Sequence, residues 1–371
     1  MDARVLLVAL TAVTAWGLSY PAAWLAHALG AVDRPGPRRI NLRPVPRLGG
    51  AAVFGAILCG AALELRWSTA PVAGAWLVMG LAATAVFLVG SIDDVCTLGA
   101  ASRLIVEGAA ALVVTAGFAR FHLGSGTAGA LAGVVVSAVW LVAVSNGGNL
   151  IDGLDGLAAG VALLEIAGLG VVAVAANRPV ELGALLLAGG AWAGFWLRNR
   201  FPARIFAGDG GALLAGFGVA ALALRTLDFA PGARGIEATI LIMAYPLNEV
   251  LTTVCRRAWR ALGNPSGPRH PSWSNLLAAV FVADSDHAHH RLLRRGWSHR
   301  AAVNLCCLLA AVMVLAGASI ALWSASMWPA TMVVLAAAAG FLRFLGYLHF
   351  DWLNGRPQLT TSVPVSRRRV L

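Results

Sequence analysis

The feature that most constrains this chain is a series of long apolar stretches separated by short polar segments. About eleven stretches can be read along the 371 residues, and most approach the roughly 20 residues that a helix needs to cross a bilayer. They are continuously apolar rather than alternating, so we expect an all-α polytopic membrane protein with about 11 transmembrane helices. The stretches cover residues 5–30, 48–65, 72–92, 104–119, 128–145, 157–176, 182–197, 212–224, 236–254, 301–323 and 328–350.

The composition supports this fold class. Hydrophobic residues make up 59% of the chain and charged residues only 12%, whereas about a quarter of the residues in a soluble domain are charged. The net charge of +11 could suggest nucleic-acid binding, which requires a basic patch on a soluble surface. Here the basic residues, all arginines, lie in short segments between apolar stretches, so no nucleic-acid partner is predicted.

The arginine distribution predicts the orientation in the membrane. Arginines are concentrated in alternate connections, above all in residues 31–47, 198–210 and 256–300. Because basic connections stay in the cytoplasm, we expect the N-terminus outside and the C-terminus inside. The first stretch resembles a signal peptide, but its charges follow the apolar run, so we expect it to be retained.

The predicted organisation is one transmembrane catalytic domain over residues 1–355 and a basic cytoplasmic tail over 356–371. The predicted cytoplasmic loops are 31–47, 93–103, 146–156, 198–210 and 256–300.

Carboxylates that could support chemistry fall on the predicted cytoplasmic face. Asp93 and Asp94 follow the third apolar stretch, and Asp209 lies between glycines before the eighth. Adjacent carboxylates repel, so either a cation holds both ionised or one of them takes a raised pKa and acts as a base. The alternatives are a solvated helix end for the pair and a helix cap for Asp209.

A second polar cluster follows the fifth apolar stretch, in the sequence NGGNLIDGLDGLAAG over residues 146–160. Its side-chain oxygen donors recur every third residue, which would align them on one side of a tight turn. The interspersed glycines allow the backbone to approach a ligand closely. Hard oxygen donors beside a glycine-rich backbone suit Mg²⁺ and a nucleotide diphosphate. The donors are Asn146, Asn149, Asp152 and Asp155.

Histidines are concentrated in one segment of the last long loop. The sequence DSDHAHHRLLRRG over residues 284–296 contains His287, His289, His290 and Arg291. Zinc binding is an alternative, but the segment contains no cysteine and no H-E-x-x-H pattern. The five cysteines form no C-x-x-C motif, so we expect neither a disulfide nor a zinc site. Histidine and arginine donors instead suit phosphate groups.

Five ordered motifs resemble the polyprenyl-phosphate N-acetylhexosamine-1-phosphate transferase family, also called glycosyltransferase family 4. The chain contains P-R-x-G-G at 46–50, the Asp-Asp pair, N-x-x-N-x-x-D-G-x-D-G-L at 146–157, F-P-A-x-I-F-x-G-D at 201–209 and D-x-x-H-x-H-H-R-L at 284–292. The H-x-H-H-R-L form is more similar to the branch that starts bacterial surface polysaccharides than to the phospho-MurNAc-pentapeptide transferases.

The resemblance implies transfer of a sugar-1-phosphate from a UDP-sugar to undecaprenyl phosphate, with release of UMP and a requirement for Mg²⁺ or Mn²⁺. Asp93, Asp94 and Asp209 are the implied catalytic residues, and Asp93 would deprotonate or align the lipid phosphate. Asp209, Asn149 and Asp94 are the predicted magnesium ligands. The predicted substrate-binding residues are Arg47, Asn146, Asp152, Gly153, Leu154 and Asp155, with Gly153–Asp155 at the nucleoside, and His287, His289, His290 and Arg291 at the diphosphate.

Several positions depart from the family pattern, and alternative functions remain. Asn41, Ser285 and Glu249 stand where the family often carries histidine, arginine and aspartate, which leaves the donor sugar open. A phospho-MurNAc-pentapeptide transferase is one alternative. A transporter or flippase of lipid-linked sugars is another, although such proteins bind at the bilayer midplane between repeats, and no repeat is visible. A CDP-alcohol phosphotransferase would carry D-G-x-x-A-R, which is absent. A homodimer is also left open.

Overall fold

The architecture is a bundle of long helices with one small β-ribbon. A computed structural model describes residues 3–35, 41, 43–67, 74–230, 233–262 and 286–323. The first helices of the described chain are α1 (Ala3–Leu29), α2 (Gly49–Trp67), α3 (Gly74–Cys96), α4 (Ala100–Gly117), α5 (Gly126–Ile151) and α6 (Leu157–Ala175). They are followed by α7 (Pro179–Asn199), α8 (Gly208–Thr226), α9 (Ala233–Ile242), α10 (Ala244–Leu262), α11 (Ala288–Arg294) and α12 (His299–Leu322).

The helices confirm a polytopic membrane protein. Eight of them, α1 to α7 and α12, are long and apolar enough to cross a bilayer. The helices α9 and α10, which contain the predicted stretch 236–254, pass the same test only as a pair bent by 78°, the geometry of a broken span or of a re-entrant loop. The predicted stretch 328–350 and the tail 356–371 lie outside the described residues.

The weakest predicted span, 212–224, corresponds to the helix at the centre of the bundle. Helix α8 packs against α3 and α5 and, less extensively, against α2 and α6. Most of its side chains are buried, and Phe217 and Leu213 are fully so. Helix α8 is as long as α6 but is not among the eight apolar spans. Its burial explains how it can be less apolar, because protein surrounds it on most sides.

Three of the predicted loops contain regular secondary structure. Helix α3 continues to Cys96, so Asp93 and Asp94 lie in its last turn rather than in a loop. Helix α5 continues to Ile151 and includes much of the predicted loop 146–156, because glycines do not break a helix that is packed on both sides. The predicted loop 31–47 contains an antiparallel ribbon of Val32–Asp33 with Val45–Pro46, a small departure from the predicted all-α fold.

Candidate functional site

Two motifs that are far apart in sequence dock together and form the floor of the site. The backbone N–H of Phe206 donates to the carbonyl of Pro46 at 2.8 Å. The N–H groups of Gly49 and Gly50 donate to the carbonyls of Phe206 and Ala207 at 2.9 and 2.8 Å. A Cβ on Gly50 would lie 2.4 Å from the backbone of α8. The P-R-x-G-G glycines are therefore needed for the close approach that brings α2 to the start of α8.

This docking brings three carboxylates and two arginines into one cluster. Nη1 of Arg103 lies 2.7 Å from Oδ2 of Asp93 and 2.7 Å from Oδ2 of Asp209. Nη2 of Arg47 lies 3.0 Å from Oδ1 of Asp94 and 3.3 Å from Oδ1 of Asp209. Each arginine thus bridges α3 and α8, and Asp209 contacts both. We call these five residues the carboxylate–arginine cluster.

Backbone donors complete the carboxylate contacts. The N–H of Gly210 donates to Oδ2 of Asp94 at 3.2 Å, and the N–H of Leu98 donates to Oδ1 of Asp93. Oδ1 of Asp94 is buried, and Nη2 of Arg47 is its charged neighbour. The guanidinium of Arg47 has a raised pKa because the surrounding carboxylates, Asp94 and Asp209 first, outweigh the effect of its burial.

The C-terminal end of α5 supplies the next wall of the site. Nδ2 of Asn146 donates to Oε2 of the buried Glu107 at 2.7 Å, so this amide faces α4. Asn149, one turn later, faces the cleft, and Asp152 follows the end of the helix. Burial raises the pKa of the Asp152 carboxyl well above its ordinary value, and the neighbouring Asp209 charge adds to the rise.

The turn after α5 is fixed by packing and by hydrogen bonds. A Cβ on Gly153 would lie 2.3 Å from Nε2 of His289. Only glycine therefore allows the segment that contains His287, His289 and His290, which we call the histidine loop, to dock here. Oδ2 of Asp155 accepts the N–H of Ala203 at 2.8 Å, and Oδ1 of Asn199 accepts the N–H of Gly156 at 3.1 Å. These contacts join the glycine-rich turn to the segment that leads into Asp209.

The histidine loop is held from α10. Oε1 of Glu249 accepts the N–H of Ala288 at 3.2 Å, and its Oε2 lies 3.6 Å from Nδ1 of His287. Both His287 and His289 are buried. Burial lowers the pKa of the His290 imidazole to about 4, with a further contribution from the charges of His287 and Arg294. Helix α11 thus begins with closely packed imidazoles beside Gly153.

Arg291 faces a different partner. It makes two contacts with the carboxylate of Asp286, at 2.8 and 2.7 Å. This pair lowers the pKa of Asp286, although the carboxylate is partly buried. Arg291 thus helps to hold the loop in place, and its predicted contact with the diphosphate stays a prediction.

These elements enclose a polar cleft of about 190 Å³. Many of the predicted site residues line it: Arg47, Asn149, Asp152, Gly153, Leu154, Asp155, Asp209 and His290. Asp93 and Asp94 lie directly behind Asp209, in contact with the same arginines. Asn146, His287, His289 and Arg291 are not among the residues that line the cleft.

Sequence reasoning missed two residues that organise the site. Arg103 was not among the predicted site residues, yet it bridges Asp93 and Asp209. Glu107 was not among them either, and it binds Asn146 of the predicted substrate motif. The two residues are four positions apart on α4, so they share a face. That spacing, after an Asp-Asp pair, is a signal that could have indicated both.

The donor set of the cleft fits a hard divalent cation. Asp209, Asp94 and Asn149 offer carboxylate and amide oxygens, the ligands that Mg²⁺ prefers. Oδ1 of Asp94 is buried and lies 3.0 Å from Nη2 of Arg47. Within the described ranges, no group of three His, Cys, Asp or Glu side chains is arranged to hold a metal, since the carboxylates point at Arg47 and Arg103. A bound cation would have to compete with these two arginines.

Comparisons with known proteins agree with the motifs. Residues 76–227 match the model of the family described as glycosyl transferase family 4. The decaprenyl-phosphate N-acetylglucosaminephosphotransferase of Mycolicibacterium smegmatis is 30% identical over 348 residues, covering 84% of this chain and 82% of that protein. The probable undecaprenyl-phosphate N-acetylglucosaminyl 1-phosphate transferase of Bacillus subtilis is 28% identical, with the same two coverages. A phospho-N-acetylmuramoyl-pentapeptide-transferase of Synechococcus sp. WH7803 is 32% identical over 58% of this chain and 63% of that protein.

Proposed function

The chain belongs to glycosyl transferase family 4, and on that premise we propose that it transfers N-acetylhexosamine-1-phosphate from a UDP-sugar to undecaprenyl phosphate. The relatives that cover most of both chains are named as polyprenyl-phosphate N-acetylglucosamine phosphotransferases. The product would be a lipid-linked sugar that starts a cell-surface polysaccharide, and UMP would be released.

The observation that carries this proposal is the carboxylate–arginine cluster at the edge of the polar cleft. The reaction must bring two anions together, a lipid phosphate and a nucleotide-sugar diphosphate. Charge compensation and positioning are the main catalytic requirements of such a transfer. Arg47 and Arg103 supply fixed positive charge, and the three carboxylates hold both guanidinium groups in place.

The reaction replaces one phosphoanhydride bond by another. An oxygen of the lipid phosphate forms a bond to the phosphorus attached to the sugar. The bond from that phosphorus to the bridging oxygen breaks, and UMP leaves with the oxygen and its electron pair. The glycosidic oxygen stays on the sugar, so the configuration at the sugar carbon is unchanged.

We assign the residues by their position around the cleft. Asp93 would align or deprotonate the lipid phosphate, because Arg103 holds it at the side of the cleft beside Asp209. Gly153, Leu154 and Asp155 would contact the nucleoside, because they form a turn at the opposite wall. His290 is the member of the histidine group that reaches the cleft, and it would donate to the diphosphate. His287 and His289 would support it from behind.

Magnesium is proposed as the cofactor. Asp209, with Asp94 and Asn149, would hold the ion, and manganese could replace it. The bound ion would neutralise charge on the diphosphate while Arg47 and Arg103 retain the carboxylates that it does not use.

The proposed topology has eleven spans, with the N-terminus outside and the cleft at the cytoplasmic face of the inner membrane. The path of the chain supports an even number of crossings between loops 198–210 and 256–300. Asp209 at the start of α8 lies at the cleft. Thr253 in α10 lies 3.4 Å from His287 of the histidine loop, so after α8, α9 and α10 the chain is again on the side of the cleft. A reporter fused after Arg260 should therefore be cytoplasmic and one fused near Gly232 external. Two reporters on the same side would contradict this topology.

The direct test is UMP release by the purified protein from a panel of UDP-sugars with undecaprenyl phosphate. We expect turnover with UDP-N-acetylglucosamine or a close relative, loss of turnover with EDTA, and recovery with Mg²⁺ or Mn²⁺. Turnover only with UDP-MurNAc-pentapeptide would favour the pentapeptide transferase. Absence of UMP with every donor would contradict the enzyme assignment.

The histidine loop separates the enzyme from a carrier. In the triple variant His287→Ala/His289→Ala/His290→Ala, we expect turnover to fall roughly 10²–10³-fold, as for the loss of a donor to transition-state charge. The protein should still reach the membrane, since the loop lies outside the spanning helices. Near wild-type turnover at equal amounts of folded protein would show that the loop is structural.

A further inference from the structure

A second, larger groove lies beside the polar cleft, and the proposed reaction does not use it. It has a volume of about 620 Å³. Its walls come from α1, from the C-terminal end of α7 with the following segment, and from the N-terminal end of α12. Asp155 and the adjoining Gly156 separate it from the cleft. The groove is therefore on the same side of the membrane as the cleft.

The groove is strongly cationic. We call it the arginine groove because four arginines line it: Arg198, Arg200, Arg204 and Arg300. None of them forms an ion pair with a carboxylate among the residues that the structure describes. The one lining carboxylate, Asp155, already accepts the N–H of Ala203. Nε of Arg198 is buried and lacks a hydrogen-bond partner in the described chain.

Aromatic rings hold the guanidinium groups in place. The guanidinium of Arg198 lies 3.9 Å from the ring centre of Tyr20, and that of Arg300 lies 5.6 Å from the ring centre of Phe201. The guanidinium of Arg200 lies 5.7 Å from the ring centre of Trp196. Such cation–π contacts orient the cations and leave their N–H groups available to an anion.

The position of the groove indicates a lipid rather than a soluble ligand. Arg198 lies in the last turn of α7 and Arg300 in the first turn of α12, so the groove is at the end of two spans, and Tyr20 of α1 contacts Arg198 there. Trp16, Tyr20 and Leu197 are all exposed on the bundle surface at the groove. Trp and Tyr side chains with arginines at one end of a span are typical of the membrane interface. The apolar side of the groove thus faces acyl chains and the arginine side faces head groups.

We propose that the arginine groove binds the phosphate head group of an anionic glycerophospholipid from the surrounding bilayer. The arginines supply charge-assisted donors to the phosphodiester. Leu197 and the rings of Trp16 and Tyr20 contact the upper part of the acyl chains. The site is independent of the proposed reaction, since it requires only that the bundle spans a membrane.

The bound lipid would also stabilise one wall of the cleft. Arg200 and Arg204 flank Ala203, whose N–H holds Asp155, and the same segment continues into Phe206, which docks against Pro46. Binding a phosphate between these arginines would order the segment from the side opposite the cleft. Anionic lipid should therefore strengthen nucleotide binding without contacting the nucleotide.

The test is native mass spectrometry of the full-length protein released from nanodiscs of equal parts phosphatidylcholine and phosphatidylglycerol. We expect phosphatidylglycerol to be retained preferentially. The variant Arg200→Gln/Arg204→Gln should lower that retention roughly tenfold, as expected for two lost arginine contacts, whereas Arg200→Lys/Arg204→Lys should keep most of it. The matched control is Arg34→Gln/Arg43→Gln, which removes two exposed arginines of the predicted loop 31–47 and should leave retention unchanged.

Each other result would overturn the proposal. Equal retention of both lipids by the wild type, or wild-type retention by Arg200→Gln/Arg204→Gln, would exclude a phospholipid head-group site in the groove. Displacement by inorganic phosphate would assign the groove to a soluble anion, and displacement by equimolar undecaprenyl phosphate would assign it to the acceptor lipid. UMP release measured on the same preparations tests the proposed function separately, because retention requires no turnover.

Discussion

The polar cleft and the arginine groove lie side by side and share Asp155, yet their charges are arranged in opposite ways. In the cleft, Arg47 and Arg103 each contact two carboxylates. In the groove, three of the four arginines contact aromatic rings. The same residue type therefore serves two roles within one end of the bundle.

The difference follows from what each site has to exchange. A buried cluster of both signs is stable only while every charge keeps a partner. A cation or a phosphate that enters the cleft replaces one member of an existing ion pair. The cleft can therefore exchange one ion for another while the remaining charges keep a partner. Within the described part of the chain, the arginines of the groove have no carboxylate to release, so binding an anion there is a simple gain of contacts.

The largest effect should come from substituting Asp209, the residue of the carboxylate–arginine cluster that both arginines contact. Asp209 contacts both arginines, so Asp209→Asn removes the charge that both of them bridge as well as the proposed metal ligand. We expect UMP release to fall roughly 10³-fold. Binding of Mn²⁺, followed by electron paramagnetic resonance, should weaken in parallel.

The matched control for this change is Asp228→Asn. Asp228 pairs with His122 near the end of α8 that lies away from the cleft, and its loss should leave turnover and Mn²⁺ binding near those of the wild type. If Asp209→Asn binds Mn²⁺ as the wild type does, Asp209 is not a metal ligand.

A second pair of variants tests the contrast between the two sites directly. Arg103→Gln removes the arginine that pairs with Asp93 and leaves Asp209 with Arg47 alone, and breaking such a partly buried pair costs about 3 kcal/mol. Arg200→Gln removes one of several like charges and should cost little. In thermal unfolding in detergent, we expect a clear drop in Tm for the first variant and a Tm within a degree or two of the wild type for the second. Equal drops would mean that the arginines of the groove are also structurally paired.

Much of this site could be predicted from the sequence, because the residue types and their spacing within each motif are visible without the structure. The carboxylates, the glycine-rich turn and His290 were predicted on one face, and the structure places them around one cleft. The family and the membrane-spanning architecture are confirmed. The metal and the role of each residue stay predictions.

What the sequence could not provide was the partner of each charge. The spacing of Arg103 and Glu107 could have indicated a site residue, but only the packing of α4 against α3 shows that Arg103 contacts Asp93 and Asp209. Arg291 looked like a phosphate ligand, and only the fold of the loop shows its pairing with Asp286. Helix ends were also predicted too early at Asp93 and Asn146, because glycine content and polarity indicate a loop when tertiary packing is unknown.

A smaller effect is expected where the cleft depends on packing rather than on charge. In Gly153→Ala the new methyl group would meet the imidazole of His289, so the histidine loop must shift. We expect the KM for the UDP-sugar to rise roughly tenfold, equivalent to about 1.4 kcal/mol, with a smaller change in kcat. The matched control is Gly170→Ala on α6, where a Cβ meets nothing within 4 Å. A KM that rises equally in both variants would mean that the effect is not local to the cleft.

The smallest effect concerns His290, the imidazole at the boundary of the cleft. Burial holds its pKa at about 4 in the folded protein, whereas an unfolded histidine titrates near 6.5. The unfolded chain therefore takes up a proton first as pH falls, and stability is lost between about pH 6.5 and pH 4. In His290→Gln the fall in Tm over that interval should be shallower by a few degrees, while the Tm curves of variant and wild type should run parallel above pH 7. A slope identical to that of the wild type between pH 6.5 and pH 4 would show that His290 is as free to protonate in the folded protein as in water, and the neutral donor assigned to it would be wrong.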